Sequence, residues 1–240
     1  MPLTLTIHGA GSVKVTGRPI VSCKTTCRVT LQVPANGKLT AVPTPARLWK
    51  LAGFTGVCKA SQQKCSFRAG HGAMLGVTFL APGARTNPIP FRTPWRLPGN
   101  WLLKIDSATP DAGIVDSTGK PLTPPAGDEY LMMSIEATYT GTTSFPLGLR
   151  LLGESFGVEG SSNAPHQYIT GVGCGPGSGA QLPAPDIQAR FTDKPDVSAG
   201  EKVAGNICFQ IAAADAPSLL LYSRAFGSNG TPQTVWFAPE

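Results

Sequence analysis

The residues with the clearest capacity for chemistry are the cations of the first part of the chain. Residues 1–99 contain 13 Lys or Arg and neither Asp nor Glu, whereas residues 100–240 contain 7 basic residues and all 14 carboxylates. A folded segment with that imbalance repels itself unless an anion neutralises it. The candidate polyanion-binding residues are basic side chains on outward strand positions or beside a cysteine pair: Lys14, Arg28, Lys38, Lys50, Lys59, Lys64 and Arg68.

The anion that this basic segment meets could come from several sources. Anionic cell-wall polymer, glycosaminoglycan and anionic lipid surfaces all carry the required charge, and binding by release of counterions would suit each of them. The sequence shows no motif for specific recognition of nucleic acid. A further source is internal, because residues 100–240 carry a net charge of −7 in the same or a neighbouring molecule.

The six cysteines fall into pairs by position. Three residues separate the first pair and six the second, and structural zinc prefers gaps of two to four residues in both half-sites. Local pairs and an even cysteine count therefore favour disulfides and an oxidising, extracellular or cell-surface compartment. The predicted disulfides are Cys23 with Cys27, Cys58 with Cys65, and Cys174 with Cys208.

Two motifs resemble catalytic or phosphate-binding sequences but lack the context that such sites need. GESFG at 153–157 has the spacing of a nucleophile elbow, yet the residues after it cannot form the required helix, and no suitable acid lies between Ser155 and His166. The glycine run at 171–179 lacks the Gly-Lys-Ser/Thr of a phosphate loop. We expect no catalytic residues and therefore no enzyme activity.

Metal and cofactor sites are not predicted either. His8, His71 and His166 have no Cys or carboxylate at a metal-binding spacing. The five carboxylates between residues 106 and 129 do not match the spacing of an EF-hand calcium loop. We expect neither a metal nor a cofactor.

Short β-strands are the elements that must position the cations. The chain contains 28 Gly and 23 Pro, which interrupt helical runs and favour many short strands joined by tight turns. Apolar residues alternate with polar ones from Leu3 to Ile7, and the clearest strand runs from Leu131 to Tyr139. The sequence therefore predicts an all-β fold.

The break in charge predicts two domains. We assign residues 1–84 to a basic domain, residues 85–100 to a proline-rich linker, and residues 101–240 to a second domain. Prolines in the linker remove backbone donors and hold the chain extended. Phe91, Trp95 and Trp101 in this region could form a stacking strip for bases or sugars, or could pack the linker against the domains it joins.

Residues 3–81 resemble a known repeat. The order LTLTIHGAGSVKVTG, SCKTTC, RVTLQVPANGKLTAVPTP, LAGFTGVC, KCSFRAG and MLGVTFLAP resembles the divergent internalin-type B-repeat of secreted and surface proteins of Gram-positive bacteria. The resemblance centres on Leu51, Gly53, Phe54, Gly56 and Cys58, with Phe54 where that family usually has Trp. It implies a small β-grasp-like module used for surface display and binding.

Most of residues 100–240 resemble a second family. The stretches PPAGDEYLMMSIEATYTG and SAGEKVAGNICFQIAAADAPSLLLY are similar to a telokin-like, immunoglobulin-like domain of unknown function found in actinobacterial lipoproteins and secreted antigens. The matching positions include Gly127, Tyr130, Gly141, Gly205 and Phe209. This resemblance implies an immunoglobulin-like β-sandwich and an extracellular location.

These features predict a secreted or cell-surface, non-enzymatic binding or adhesion module that recognises an anionic polymer or surface through residues 1–84. The alternative is a structural accessory subunit of an extracellular or envelope assembly that docks through its oppositely charged domains. Met1-Pro2 leads directly into a strand pattern. Because the cysteines indicate an oxidising compartment and this start does not look like a signal peptide, we expect that Met1 replaces an export signal or lipid anchor of the full-length protein.

Overall fold

The computed structural model describes residues 1–58, 63–110, 113–114, 120–143, 145–146, 156–162, 167–168, 196–226 and 232–239. Within these ranges the chain forms β-strands and one 3-10 helix, Ala213–Ser218. The all-β class predicted from the sequence is confirmed. No helix in this part of the chain is long and apolar enough to span a membrane.

The chain divides into two compact units, Met1–Asn87 and Pro88–Glu240. This division corrects the predicted linker at 85–100, because Ile89–Pro90 and Trp95–Leu97 are strands of the second unit. Both strands lie at the ends of their sheets, where a proline without an N–H removes no bond from the sheet interior. The first unit therefore holds 11 basic residues and no carboxylate, and the second holds 9 basic and 14 acidic residues.

The aromatic residues of the proline-rich run pack into the second unit. Phe91 and Trp101 are buried, and Trp95 packs against the same core. The ring of Trp101 lies 5.1 Å from that of Tyr139, centroid to centroid. The structure thus supports the packing role for these residues and not an exposed stacking strip.

The first unit consists of two four-stranded sheets. Sheet A has the order β4-β1-β8-β6 and sheet B the order β3-β2-β5-β7. Strands β1 and β8 are parallel, and the other neighbouring strands of the two sheets are antiparallel. The strands are β1 Pro2–His8, β2 Gly11–Val15, β3 Ile20–Cys23, β4 Cys27–Gln32, β5 Lys38–Pro45, β6 Lys50–Gly56, β7 Cys65–Arg68 and β8 Ala73–Leu80.

Alternating side chains of sheets A and B enclose a single core in the first unit. The predicted inward residues Leu3, Leu5 and Ile7 of β1 are fully buried, as are Val13 and Val15 of β2. The inward residues of both sheets belong to one buried cluster. Since successive side chains of a strand point to opposite faces, this core fixes which residues of every strand face water.

Both disulfides of the first unit join sheet A to sheet B. Cys23 ends β3 in sheet B and bonds to Cys27, which begins β4 in sheet A. Cys58 follows β6 of sheet A and bonds to Cys65, which begins β7 of sheet B. These two predicted disulfides are confirmed. Each joins an edge strand of one sheet to an edge strand of the other, β3 to β4 and β6 to β7.

The second unit has a five-stranded sheet of order β10-β11-β12-β17-β15, a four-stranded sheet of order β14-β18-β19-β9, and a pair β13-β16, counted over the described residues. Its strands are β9 Ile89–Pro90, β10 Trp95–Leu97, β11 Trp101–Thr109, β12 Asp128–Tyr139, β13 Phe145–Pro146, β14 Phe156–Glu159, β15 Gln167–Tyr168, β16 Asp196–Val197, β17 Lys202–Ala212, β18 Leu220–Phe226 and β19 Pro232–Ala238.

The core of the second unit lies between its two larger sheets. Leu131, Met133 and Ile135 of β12 are fully buried, as the sequence alternation predicts. They share one cluster with Leu221 of β18 and Phe237 of β19. Strand β12 is therefore the central element of this unit, paired with β11 on one side and β17 on the other.

Cys208 lies on the other face of strand β17. Its neighbour Ile207 points into the main core, whereas Cys208 is buried in a second small cluster with Ile114 and Tyr130. Cys208 is disulfide-bonded, and Cys174, its predicted partner, lies outside the described residues. Ile114 thus covers part of this face of the sheet.

We predict that removing either inter-sheet disulfide destabilises the first unit. Each bridge closes a short loop in the unfolded chain, so replacing Cys58 and Cys65 together with Ala should lower the free energy of unfolding by about 2–3 kcal/mol. Replacing Cys23 and Cys27 in the same way should have a similar or slightly smaller effect. Denaturant unfolding followed by circular dichroism measures both, and an unchanged midpoint in either variant would contradict the clamping role.

Candidate functional site

Three of the predicted polyanion-binding residues share one surface. Lys14 of β2, Lys38 of β5 and Arg68 of β7 are exposed on the side of sheet B that faces away from the core. We call this surface the basic face. It is formed by the outward residues of the four strands, which are Ser12, Lys14, Ile20, Ser22, Lys38, Thr40, Val42, Thr44, Ser66 and Arg68.

Lys38 and Arg68 are directly opposite each other on neighbouring strands. In an antiparallel pair such residues have Cβ atoms roughly 4.5–5.5 Å apart, and like charges at that distance destabilise the sheet. The Arg68 Nη1 donates a hydrogen bond to the Asn36 carbonyl oxygen at 3.3 Å, which restrains the guanidinium beside β5. The pairing thus concentrates two positive charges at one end of the basic face.

The core determines this placement of the two cations. Leu39 lies opposite Phe67 and Ala41 opposite Cys65, and all four side chains are buried. Because the residues of a strand alternate between faces, burying these pairs forces Lys38 and Arg68 outward. The backbone positions of Lys38 and Arg68 stay opposite each other as long as β5 and β7 keep their register.

Hydroxyl groups lie beside the cation pair. Thr40 and Ser66 are the next outward pair along β5 and β7, with their Oγ atoms 3.1 Å apart. The Thr16 hydroxyl donates to the Thr40 carbonyl oxygen at 3.1 Å, at the end of β2. Neutral donors next to cations provide directional hydrogen bonds for anionic oxygens.

Two exposed apolar residues flank Lys14. Ile20 of β3 and Val42 of β5 are both opposite Lys14 in the register, so the three form one row across three strands. Ile20 is 59% exposed and Val42 is 44% exposed. The sequence analysis missed them, although alternation from Ser22 and from Lys38 would have placed both on the outward side.

Arg28, Lys50 and Lys64 are not among the outward strand residues that form the basic face. Arg28 lies on β4 and Lys50 on β6, which are the opposite edge strands of sheet A. Lys64 is exposed one residue before β7, and Lys59 lies outside the described residues. The structure therefore brings together three of the seven predicted residues.

Two lysines of the second unit, Lys104 and Lys202, form ion pairs with carboxylates of that unit. The Lys104 Nζ lies 3.1 Å from the Asp106 carboxylate and 3.5 Å from that of Glu136, and the Lys202 Nζ lies 3.2 Å from Glu136. The hydrogen bond to Asp106 is the main reason that the pKa of Lys104 is raised. The first unit contains no carboxylate, so Lys14, Lys38 and Arg68 cannot be neutralised in this way within it.

The two neighbouring lysines lower the pKa of Glu136. Partial burial raises the pKa of its carboxyl, but the hydrogen bond from Lys202 and the charge of Lys104 outweigh that effect, so the pKa is lowered overall.

Asp215 is a buried carboxylate of the second unit. It accepts hydrogen bonds from the Ser161 hydroxyl at 3.1 Å, from the Ser162 backbone amide at 2.9 Å and from the Ser162 hydroxyl. A carboxylate with this many donors is satisfied where it lies. Asp215 therefore joins the 3-10 helix to the turn after β14 and is explained by structure alone.

The motifs considered for catalysis and phosphate binding lie largely outside the described ranges, as Ser155, His166 and the glycine run 171–179 do. Phe156–Glu159, directly after Ser155, is strand β14, where a nucleophile elbow would require a helix. Among the described side chains, no group of three or more His, Cys, Asp or Glu is arranged to hold a metal ion.

We predict that the ion pairs of Glu136 make stability depend on pH. Because its pKa is lowered in the folded state, Glu136 stabilises the fold above about pH 4.3, and this contribution is lost as the pH falls through the folded pKa. In Glu136→Gln that part of the acid dependence should disappear. Thermal unfolding from neutral to acidic pH measures it, and an identical pH profile in both proteins would refute the assignment.

Comparison with known proteins does not identify a family. No protein-family model matches the chain, and no curated protein matches it.

Solved structures with some similarity include a conserved hypothetical protein from Bacillus anthracis, at 8% identity over 61% of this chain and 94% of that one, with a TM-score of 0.39. The yjhA protein from Bacillus subtilis has 10% identity over 63% of this chain and 99% of that one, with a TM-score of 0.39. An uncharacterized β-sandwich protein from Clostridium difficile has 8% identity over 62% of this chain and 91% of that one, with a TM-score of 0.38. Similarity at this level carries no functional argument.

Proposed function

We propose that this protein is an extracellular or cell-surface, non-enzymatic binding module whose basic face recognises an anionic polymer or surface. The observation that carries the proposal is the position of Lys38 opposite Arg68, with Lys14 on the same face, in a unit without a single carboxylate.

The electrostatics of the first unit favour an external anion. The first unit has 11 basic residues and no acidic one, so its positive charges repel one another. The pair Lys38 and Arg68 adds a local repulsion between neighbouring strands. A polyanion that lies on the basic face would relieve both and would release its own condensed counterions. Binding should therefore weaken steeply as salt concentration rises.

The spacing of the cations suits a ligand with several charges. Val42, opposite Lys14, is four residues along β5 from Lys38, which corresponds to roughly 14 Å along the strand. A single small anion cannot reach both ends of that distance. A chain or a surface of repeated negative charges can contact Lys14 and the pair of Lys38 and Arg68 together.

The disulfides support the proposed location. Cys23–Cys27 and Cys58–Cys65 are bonded, Cys208 is disulfide-bonded, and the described part of the chain has no free cysteine. Disulfides of this kind persist in oxidising compartments and are rare in the reducing cytosol. We therefore propose an extracellular or cell-surface location.

The test is binding of the whole chain to immobilised heparin, a soluble anionic polymer, over a series of salt concentrations. The double variant Lys38→Gln/Arg68→Gln should bind more weakly at low salt, and the slope of log affinity against log salt should become shallower by about two, one for each lost contact.

A matched control separates the basic face from net charge. Lys24 and Arg47 are exposed in turns of the same unit, outside its strands, so Lys24→Gln/Arg47→Gln removes one Lys and one Arg in the same way. Its salt slope should stay that of the unchanged protein. The proposal fails if the unchanged protein does not bind heparin, if binding ignores salt, or if both double variants lose affinity equally.

A further inference from the structure

We propose that the ligand of the basic face is the surface of an anionic lipid bilayer. This inference rests on the proposed function and names the partner of the same site. It comes from the apolar residues on that face, which a soluble polyanion would leave in contact with water.

Exposed apolar side chains are concentrated on the first unit. In the described ranges, the large hydrophobic residues left exposed are Ile20, Val42, Val57 at 37% and Met74 at 54%. Two of these, Ile20 and Val42, lie on the basic face in the row that contains Lys14. Exposed apolar groups grouped together, with polar residues around them, mark interaction surfaces.

The row has the composition of a membrane-interface contact. Its three side chains span two strand spacings, roughly 10 Å, from the edge strand β3 across β2 to β5 of sheet B. Ile20 and Val42 can enter the boundary between headgroups and acyl chains, where apolar groups are removed from water. The aliphatic part of Lys14 can lie between them while its ammonium group reaches the lipid phosphates.

The rest of the face suits the same partner. Lys38 and Arg68 point to the same side as this row, and Ser12, Ser22, Thr40 and Ser66 add hydroxyl groups that can bond headgroup oxygens. The first unit contains no carboxylate, so it has no negative side chain that would repel an anionic leaflet. Each cation near such a surface strengthens binding by roughly fivefold, so the basic and apolar contributions act together.

The experiment measures cosedimentation of the whole chain with vesicles of phosphatidylcholine, with and without phosphatidylglycerol, and heparin binding in parallel. The protein should bind the vesicles that contain phosphatidylglycerol and not those of phosphatidylcholine alone. Ile20→Thr/Val42→Thr keeps β-branched residues in both strands, so sheet B should be retained. This variant should lose roughly tenfold in vesicle affinity and bind heparin like the unchanged protein.

The control variant is Met74→Thr/Val57→Thr, which removes the two exposed apolar residues away from the basic face. It should bind the vesicles like the unchanged protein. The inference is overturned if the chain binds heparin but no anionic vesicle, if Ile20→Thr/Val42→Thr keeps full vesicle affinity, or if both apolar variants lose it equally. Heparin binding without vesicle binding would leave the proposed function standing, whereas absence of both would refute the two together.

Discussion

The pairing of β5 with β7 holds Lys38 opposite Arg68, and the charge pattern of the basic face depends on that pairing. The buried pairs beneath them, Leu39 with Phe67 and Ala41 with Cys65, set the register and leave the cations no other direction. The disulfide from Cys65 to Cys58 ties the same strand to the other sheet. The like-charge repulsion is therefore offset by apolar burial and a covalent link.

The two units differ in the carboxylates that are available to their cations. In the second unit Lys104 and Lys202 lie against Glu136, so these two cations are neutralised within the fold. In the first unit the chain provides no acid, and the cations of the basic face point to solvent. Neutralisation has to come from outside that unit, and the proposed anionic partner would provide it.

Local patterns predicted much of this architecture. The alternation of Leu3, Leu5 and Ile7 and the run from Leu131 to Tyr139 placed buried and exposed residues correctly, because a strand shows its faces in its own sequence. The short gaps between cysteines predicted two disulfides correctly, because the partners are close together in the sequence. The resemblances to the internalin-type repeat and to the telokin-like domain stay predictions.

Long-range pairing is what the sequence could not supply. Lys38 and Arg68 are thirty residues apart, and nothing local indicates that β5 and β7 are neighbours. The same limit hid the row of Ile20, Lys14 and Val42, whose members come from three strands. The proline-rich run was misassigned as a linker because proline content alone does not distinguish a linker from an edge strand.

The most direct test of the central claim is to map, by nuclear magnetic resonance, the backbone amides whose signals shift when heparin is titrated into the isotope-labelled whole chain. If heparin binds the basic face, the largest shifts should occur in β2, β5 and β7. These shifts should disappear at high salt. Shifts centred on sheet A or on the second unit, or no shifts at low salt, would contradict it.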